Sequence, residues 1–195
     1  KIAIDVVLLP PEEVMDLCIE INKKDSSRTF HLSKEDSFPH ITLMMGVTDT
    51  IDLEKIKEEL TKITSSFSPI DLEINGVTYI TLPENIKSYH FNFEENINIR
   101  DLHQKIMESL FNLVSYEVKP EMFFEGEGIN ETSMGWVANY KERYGHPEKF
   151  EPHISLKCTQ VDFNDFPVKF KGSKLAVCQM GKQGTCRRKL MELTL

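Results

Sequence analysis

Pro39-His40-Ile41-Thr42-Leu43 returns in the second half of the chain as Pro152-His153-Ile154-Ser155-Leu156. Each copy has a histidine, an apolar residue, a hydroxyl residue and a second apolar residue, entered through proline with a phenylalanine close by (Phe38, Phe150). With a period of two, His40 and Thr42 share one face of a strand and Ile41 and Leu43 the other. The same alternation sets His153 and Ser155 against Ile154 and Leu156. Each copy therefore reads as a half-buried strand with its aliphatic side in a core and an imidazole plus a hydroxyl on the opposite face. One such unit per half predicts two related lobes that bring two histidines together across a cleft.

The rest of the chain supplies the scaffold for such lobes. Residues 2–9 are aliphatic and β-branched and stop at Pro10-Pro11, which predicts a buried strand. Residues 12–24 carry Val14, Leu17, Cys18 and Ile21 at helical spacing. A short strand is expected at 29–32. The clearest helix is 52–67, with Leu53, Ile56, Leu60 and Ile63 in one stripe. Residues 71–82 alternate, broken by Asn75-Gly76, which signals a hairpin or a bulge. Residues 87–93 alternate again, with Tyr89, Phe91 and Phe93 opposite His90, and 99–114 returns to helical spacing. Residues 115–150 are the least regular, with a short helix expected around 134–144. Strands are expected at 166–170, 174–180 and 188–195, with a turn at 181–184. The pattern predicts one α+β domain over 1–195, built as two intimate lobes with two antiparallel sheets flanked by helices.

A chain of 195 residues can bury such a core. Its formal charge of −8 argues against wrapping long nucleic acid through a broad basic face. The charge is uneven: from Phe166 onward there are seven basic residues and one acid, Glu192. That basic section suits either a small anionic ligand or a solvated pair of strands. The longest apolar runs, such as 6–9, are too short to cross a bilayer, and no secretory leader is evident. Cys18, Cys158, Cys178 and Cys186 show no C-x-x-C pair and no zinc-type spacing, so reduced thiols in a cytoplasmic protein are expected. Cys178 and Cys186 meet only if their segments form a hairpin.

Two imidazoles facing one site suit cleavage of a phosphodiester without metal. One takes a proton from the attacking oxygen and the other gives one to the leaving oxygen. An unperturbed pKa of about 6.5 fits histidine to both tasks. The hydroxyls of Thr42 and Ser155 can hold non-bridging phosphate oxygens, and Lys157, next on the face of His153 and Ser155, can neutralise the phosphate. On the first strand the corresponding position is Met44. No carboxylate sits at metal-ligand spacing in sequence beside either histidine except Glu151, so no metal is expected.

These paired His-x-Thr/Ser strands resemble the 2H phosphoesterase superfamily, the LigT-like proteins that include RNA 2′,3′-cyclic phosphodiesterases and 2′-5′ RNA ligases. The resemblance extends over most of the chain. It implies a pseudo-twofold bilobal α+β fold with the active site between the lobes. His40 and His153 would be the catalytic pair, and Thr42 and Ser155 would hold the phosphate. No cofactor and no metal are implied. Many bacterial members carry an arginine where this chain has Cys158, with Lys157 one residue before it. The expected partner is a small RNA end or a nucleotide, with no membrane and a monomeric protein.

Alternatives stay open at this level: a nucleotide-binding module using the same cleft, or 2′-5′ ligation by the reverse reaction. Which histidine is acid and which is base is equally open. Among the other histidines (His31, His90, His103, His146), His90 lies nearest the expected cleft. A base-stacking residue could come from Tyr79, Tyr89, Phe38, Phe123, Phe124, Trp136 or Phe150.

Overall fold

A computed structural model describes residues 1–195. Strand β1 (Ile2–Leu9) leads through helix α1 (Glu12–Lys24) to β2 (Ile41–Thr48), then helix α2 (Leu53–Thr64). Strands β3 (Ile70–Leu82) and β4 (Ile86–Phe93) form a long hairpin, followed by helix α3 (Ile97–Ser109). Two short helices, α4 (Glu131–Ala138) and α5 (Tyr140–Tyr144), precede β5 (His153–Cys158). The chain closes with β6 (Val168–Gly172), β7 (Lys174–Met180) and β8 (Cys186–Thr194). Of the helix stripes expected from sequence, Ile56, Leu60 and Ile63 on α2 and Leu102 and Ile106 on α3 are buried, Leu110 is buried just past the end of α3, and Leu53 and Leu113 are half-buried. No helix is long and apolar enough to cross a membrane.

The fold is α+β, but the strands form one antiparallel sheet of eight, in the order β6-β3-β4-β5-β2-β1-β7-β8, where two sheets were expected. The two motif strands, β2 and β5, lie at its centre. They are joined by a single register pair, Ile41 with Ile154, whereas β1 and β2 share seven. The centre of the sheet is thus its weakest seam, and the opening there is what makes room for a cleft.

Alternation sorts the two faces. Ile4, Val6 and Leu8 of β1 join Ile41, Leu43, Ile154 and Leu156 in the main core with the buried residues of α1, α2 and α3. Ala3, Val7 and Leu9 point the other way, into two smaller clusters that include Val137 of α4 and Cys178 and Cys186 of the last hairpin.

Two local departures from the sequence reading, and the Asn75-Gly76 break that it expected, have physical causes. Residues 29–32 form no strand; the Thr29 N–H and hydroxyl instead both donate to the Lys157 carbonyl, at 2.8 and 3.2 Å. The Asn75-Gly76 break is a bulge, where the β3–β4 register shifts between Ile74 and Gly76. A further bulge in β2 follows from Val6 pairing with Met44 while Val7 pairs with Thr42, leaving Leu43 unpaired. After that extra residue Met44 turns into the core at 1% exposure, and Met45, not Met44, continues the cleft face.

Candidate active site

His40 stands at the threshold of β2 and His153 opens β5. Because Ile41 pairs with Ile154 in antiparallel register, Thr42 lies on the His153 side and His40 on the Ser155 side. The two histidines are then diagonal neighbours across the central seam. His40, Thr42, His153, Ser155 and Lys157 all line one cleft of about 1000 Å³, open mouth included.

The prolines that enter the motifs have a local consequence. His40 Nδ1 lies 2.8 Å from the Phe38 carbonyl, and His153 Nδ1 lies 3.0 Å from the Glu151 carbonyl. In both cases the acceptor is two residues back, across a proline whose ring fixes φ and restricts the residue before it. A carbonyl acceptor selects the Nδ1–H tautomer, which leaves the lone pair of each neutral ring on Nε2.

Both rings are held toward the neutral form. Burial brings His40 down to about 4, opposed by its bond to Phe38 and reinforced by the charges of Lys157 and His153. Burial also lowers His153, again against its bond to Glu151 and with Lys157 nearby.

The second strand carries its own bulge. Tyr89 pairs with Cys158 while His90 pairs with Ser155, so Leu156 and Lys157 are unpaired with β4. Lys157 adopts φ 54°, a left-handed conformation that costs a non-glycine residue about 1–2 kcal/mol. The end of α1 supports it. Asn22, fully buried, donates to the carbonyls of Leu156 and Phe30 (2.9 Å each) and accepts from the Leu32 N–H (3.0 Å). Asp25 Oδ2 accepts from the Thr159 N–H (2.6 Å) and hydroxyl (3.1 Å). The bulge keeps Lys157 in the cleft, 6% exposed, with Nζ donating to the Gln183 carbonyl (2.5 Å) and lying 5.8 Å over the Trp136 ring. Burial pulls this ammonium down to about 8. The next residue, Cys158, returns to the core.

Asp5 was not singled out from sequence. It comes from the middle of β1, fully buried, and its Oδ2 accepts from the Thr42 hydroxyl at 2.8 Å and lies 3.6 Å from His40 Nε2. Burial pushes the Asp5 carboxyl well above the usual carboxylate range, with Thr42 and Lys157 opposing. Thr42 is thus engaged with Asp5, while the Ser155 hydroxyl makes no hydrogen bond within the protein and is free for a ligand.

His90 also borders the cleft, its ring 5.0 Å from that of His153 and its Nε2 2.8 Å from the Thr78 hydroxyl. Burial lowers it to about 4, with His153 adding to the effect. His103 is a core residue, bonded to the Leu43 carbonyl (2.6 Å) and stacked on Phe150 at 4.0 Å. The irregular 115–150 stretch contributes Trp136, Tyr140 and Tyr144 to the lining of the cleft. Of the aromatic residues considered from sequence, Trp136 and Phe150 line the cleft, and Phe38 and Phe123 are buried elsewhere. Trp136 packs on Gly184, where φ is +65° and a Cβ would lie 3.2 Å from the indole.

The basic C-terminal section divides differently. Arg187 is mostly buried, paired with the equally buried Glu127, whereas Lys169, Lys171, Lys174 and Lys189 pair with Glu73, Asp71, Glu192 and Glu192 respectively on more exposed ground. These lysines serve as solvated strand faces. Cys178 and Cys186 do lie together on the β7–β8 hairpin, as free, buried thiols.

Compared by sequence, the chain matches no protein-family model and no curated protein. Compared by structure, it superposes along its whole length on solved proteins. It is similar to TT0787 of Thermus thermophilus, with a TM-score of 0.64 and 15% identity over 100% of this chain and 98% of that one. E. coli LigT complexed with phosphate gives 0.59 and 11%, over 99% and 96%. A structure described as a phosphoesterase gives 0.57 and 11%, over 100% and 99%. LigT has also been solved with 3′-AMP. At these identities the likeness is one of fold: this chain has the LigT-like fold.

Proposed function

We propose that the chain is a 2H-type phosphoesterase that hydrolyses 2′,3′-cyclic or 2′-5′ phosphodiester bonds in an RNA end or small nucleotide. The observation that carries this reading is the matched pair of imidazoles. Each is fixed through Nδ1 to a carbonyl two residues back, on neighbouring strands of one cleft. The LigT-like fold supports it, as does phosphate in the LigT structure that shares that fold.

In the mechanism, the phosphodiester lies between the two Nε2 atoms. The Ser155 hydroxyl and the Lys157 ammonium hold its non-bridging oxygens, and Thr42 joins them if its hydroxyl turns from Asp5. The neutral imidazole takes a proton from water as the oxygen attacks phosphorus. The other, charged as an imidazolium, gives its proton to the departing ribose oxygen. Both rings are held neutral in the free protein, so the bound anion itself must raise one of them. Catalysis is thereby tied to occupancy. Trp136 and Tyr144, which also line the cleft, offer aromatic rings for a base.

The test is turnover of 2′,3′-cyclic mononucleotides and of a 2′-5′-linked dinucleotide with EDTA present, products being separated by chromatography. Hydrolysis of either class to a single phosphomonoester regioisomer or to nucleoside products supports the reading. Tight nucleotide binding with no turnover of either class would replace it with a binding module.

A further inference from the structure

The Asp5 carboxyl is fully buried, yet its Oδ1 has no hydrogen-bond partner. Buried polar atoms are nearly always satisfied, and an orphan among chemically active neighbours points to a missing partner. Those neighbours are His40 and Cys186, the first residue of β8. One carboxylate oxygen, one imidazole nitrogen and one sulfur lie within 4.8 Å of one another. Sequence spacing hides this set, because its members come from β1, the start of β2 and β8.

We infer that Asp5, His40 and Cys186 form a three-ligand Zn²⁺ site beneath the floor of the cleft, and that zinc bound there shuts off the histidine pair by occupying Nε2 of His40. Carboxylate oxygen, imidazole nitrogen and thiolate sulfur together suit zinc. Tetrahedral zinc with bonds of about 2.0–2.3 Å places its donors about 3.3–3.7 Å apart. The 3.6 Å between Asp5 Oδ2 and His40 Nε2 already has that value, the unpartnered Oδ1 of the same carboxylate gains the metal as its partner by turning toward it, and the sulfur closes the set with a shift of about 1–1.5 Å at most. The outer contacts are also those of a metal site. His40 gives its other ring N–H to the Phe38 carbonyl, and the Asp5 carboxylate is oriented by the Thr42 hydroxyl. His40 and Thr42 line the cleft, so the fourth position faces water or a substrate oxygen. Lys157 also faces the cluster, with its Nζ turned to the Gln183 carbonyl. Binding is a simple exchange without redox: the metal takes the place of the Cys186 thiol proton and of any proton on Asp5, both released to solvent. The inhibitory half of this inference rests on the phosphoesterase reading; the binding half does not.

The test uses Co²⁺ as a coloured substitute for Zn²⁺ on chelator-stripped, full-length protein. One equivalent should produce a thiolate-to-cobalt charge-transfer band with visible bands of tetrahedral cobalt, and Zn²⁺ should erase both. Asp5→Asn and Cys186→Ala should lose the charge-transfer band, while Cys158→Ala keeps it. X-ray absorption on the zinc-loaded wild type needs no variant, and one sulfur scatterer at about 2.3 Å is expected. A first shell of nitrogen and oxygen alone, or a charge-transfer band that survives Cys186→Ala, would overturn the site. Zn²⁺ should also abolish cyclic-nucleotide hydrolysis, with EDTA restoring it. If no substrate is turned over, the cobalt titration still decides the site; full turnover with zinc bound would overturn the inhibition alone.

Discussion

Replacing His40 by asparagine separates its place in the fold from its place in the chemistry. The asparagine amide can still donate to the Phe38 carbonyl as Nδ1 does, but it cannot titrate. In the wild type the folded-state pKa of His40 is about 4 against an ordinary value of 6.5. Between those values the unfolded chain binds the proton and the folded chain does not, so stability falls as pH is lowered from about 6.5 toward 4. At 1.36 kcal/mol per unit, that difference amounts to about 3 kcal/mol for this nearly buried ring. At pH 7, above both values, linkage adds nothing further, and His40→Asn should be less stable than wild type by about 1 kcal/mol through lost packing, the ordinary size of a core-adjacent substitution. Near pH 4 it should be the more stable protein, the two curves crossing between. Urea denaturation of both proteins at intervals from pH 7 to pH 4 reads this directly. His90 and His153, also depressed, contribute to both proteins and largely cancel in the difference. Parallel stability curves would refute the claim that burial holds His40 neutral.

Three further outcomes follow from the same geometry. The pH profile of kcat/KM should peak on the acid side of 6.5, because the free-enzyme values of His40 and His153 are both lowered; the kcat profile should lie higher, since bound phosphate favours the imidazolium. An optimum above 7 in kcat/KM would contradict this. Lys157→Met keeps the aliphatic stem and removes the charge, and kcat/KM should drop about 10²–10³-fold with the fold intact by circular dichroism; unchanged kcat/KM would dismiss its phosphate contact. Asn22→Ala removes three hydrogen bonds, one to the Leu156 carbonyl of the β5 bulge and two to Phe30 and Leu32 of the neighbouring loop. It should cost about 2–4 kcal/mol in urea denaturation and lower activity with it, whereas loss of activity alone would place Asn22 elsewhere in the account.

Much of this architecture was legible because it rests on alternation. A period of two assigns Ile41, Leu43, Ile154 and Leu156 to the core and His40, Thr42, His153 and Ser155 to the other face, and those positions follow from local chain geometry. What stayed hidden depends on bulges and on contacts between distant strands. Leu43 drops out of the ladder and hands the cleft position from Met44 to Met45, a shift that no alternation rule contains. Alternation does place Lys157 on the cleft face, but not the left-handed backbone that takes it there, braced by Asn22, which the helical spacing of α1 marks only as one more residue on its inner face. Asp5 sits within a run of aliphatic residues, where a carboxyl is costly to bury. That oddity was the signal available for it. Tyr140 and Tyr144 reach the cleft from the least regular part of the chain. The seam between β2 and β5, held by one register pair, also explains why two expected sheets are one.

The central claim is that two histidines act on one phosphodiester. It is tested most directly by the rates of His40→Ala, His153→Ala and the double variant on a 2′,3′-cyclic nucleotide with EDTA present. Each single variant should remain folded and lose about 10²–10⁴-fold in kcat. The double variant should fall little further, as residues acting in one step are not additive. Full activity in either single variant would contradict the account.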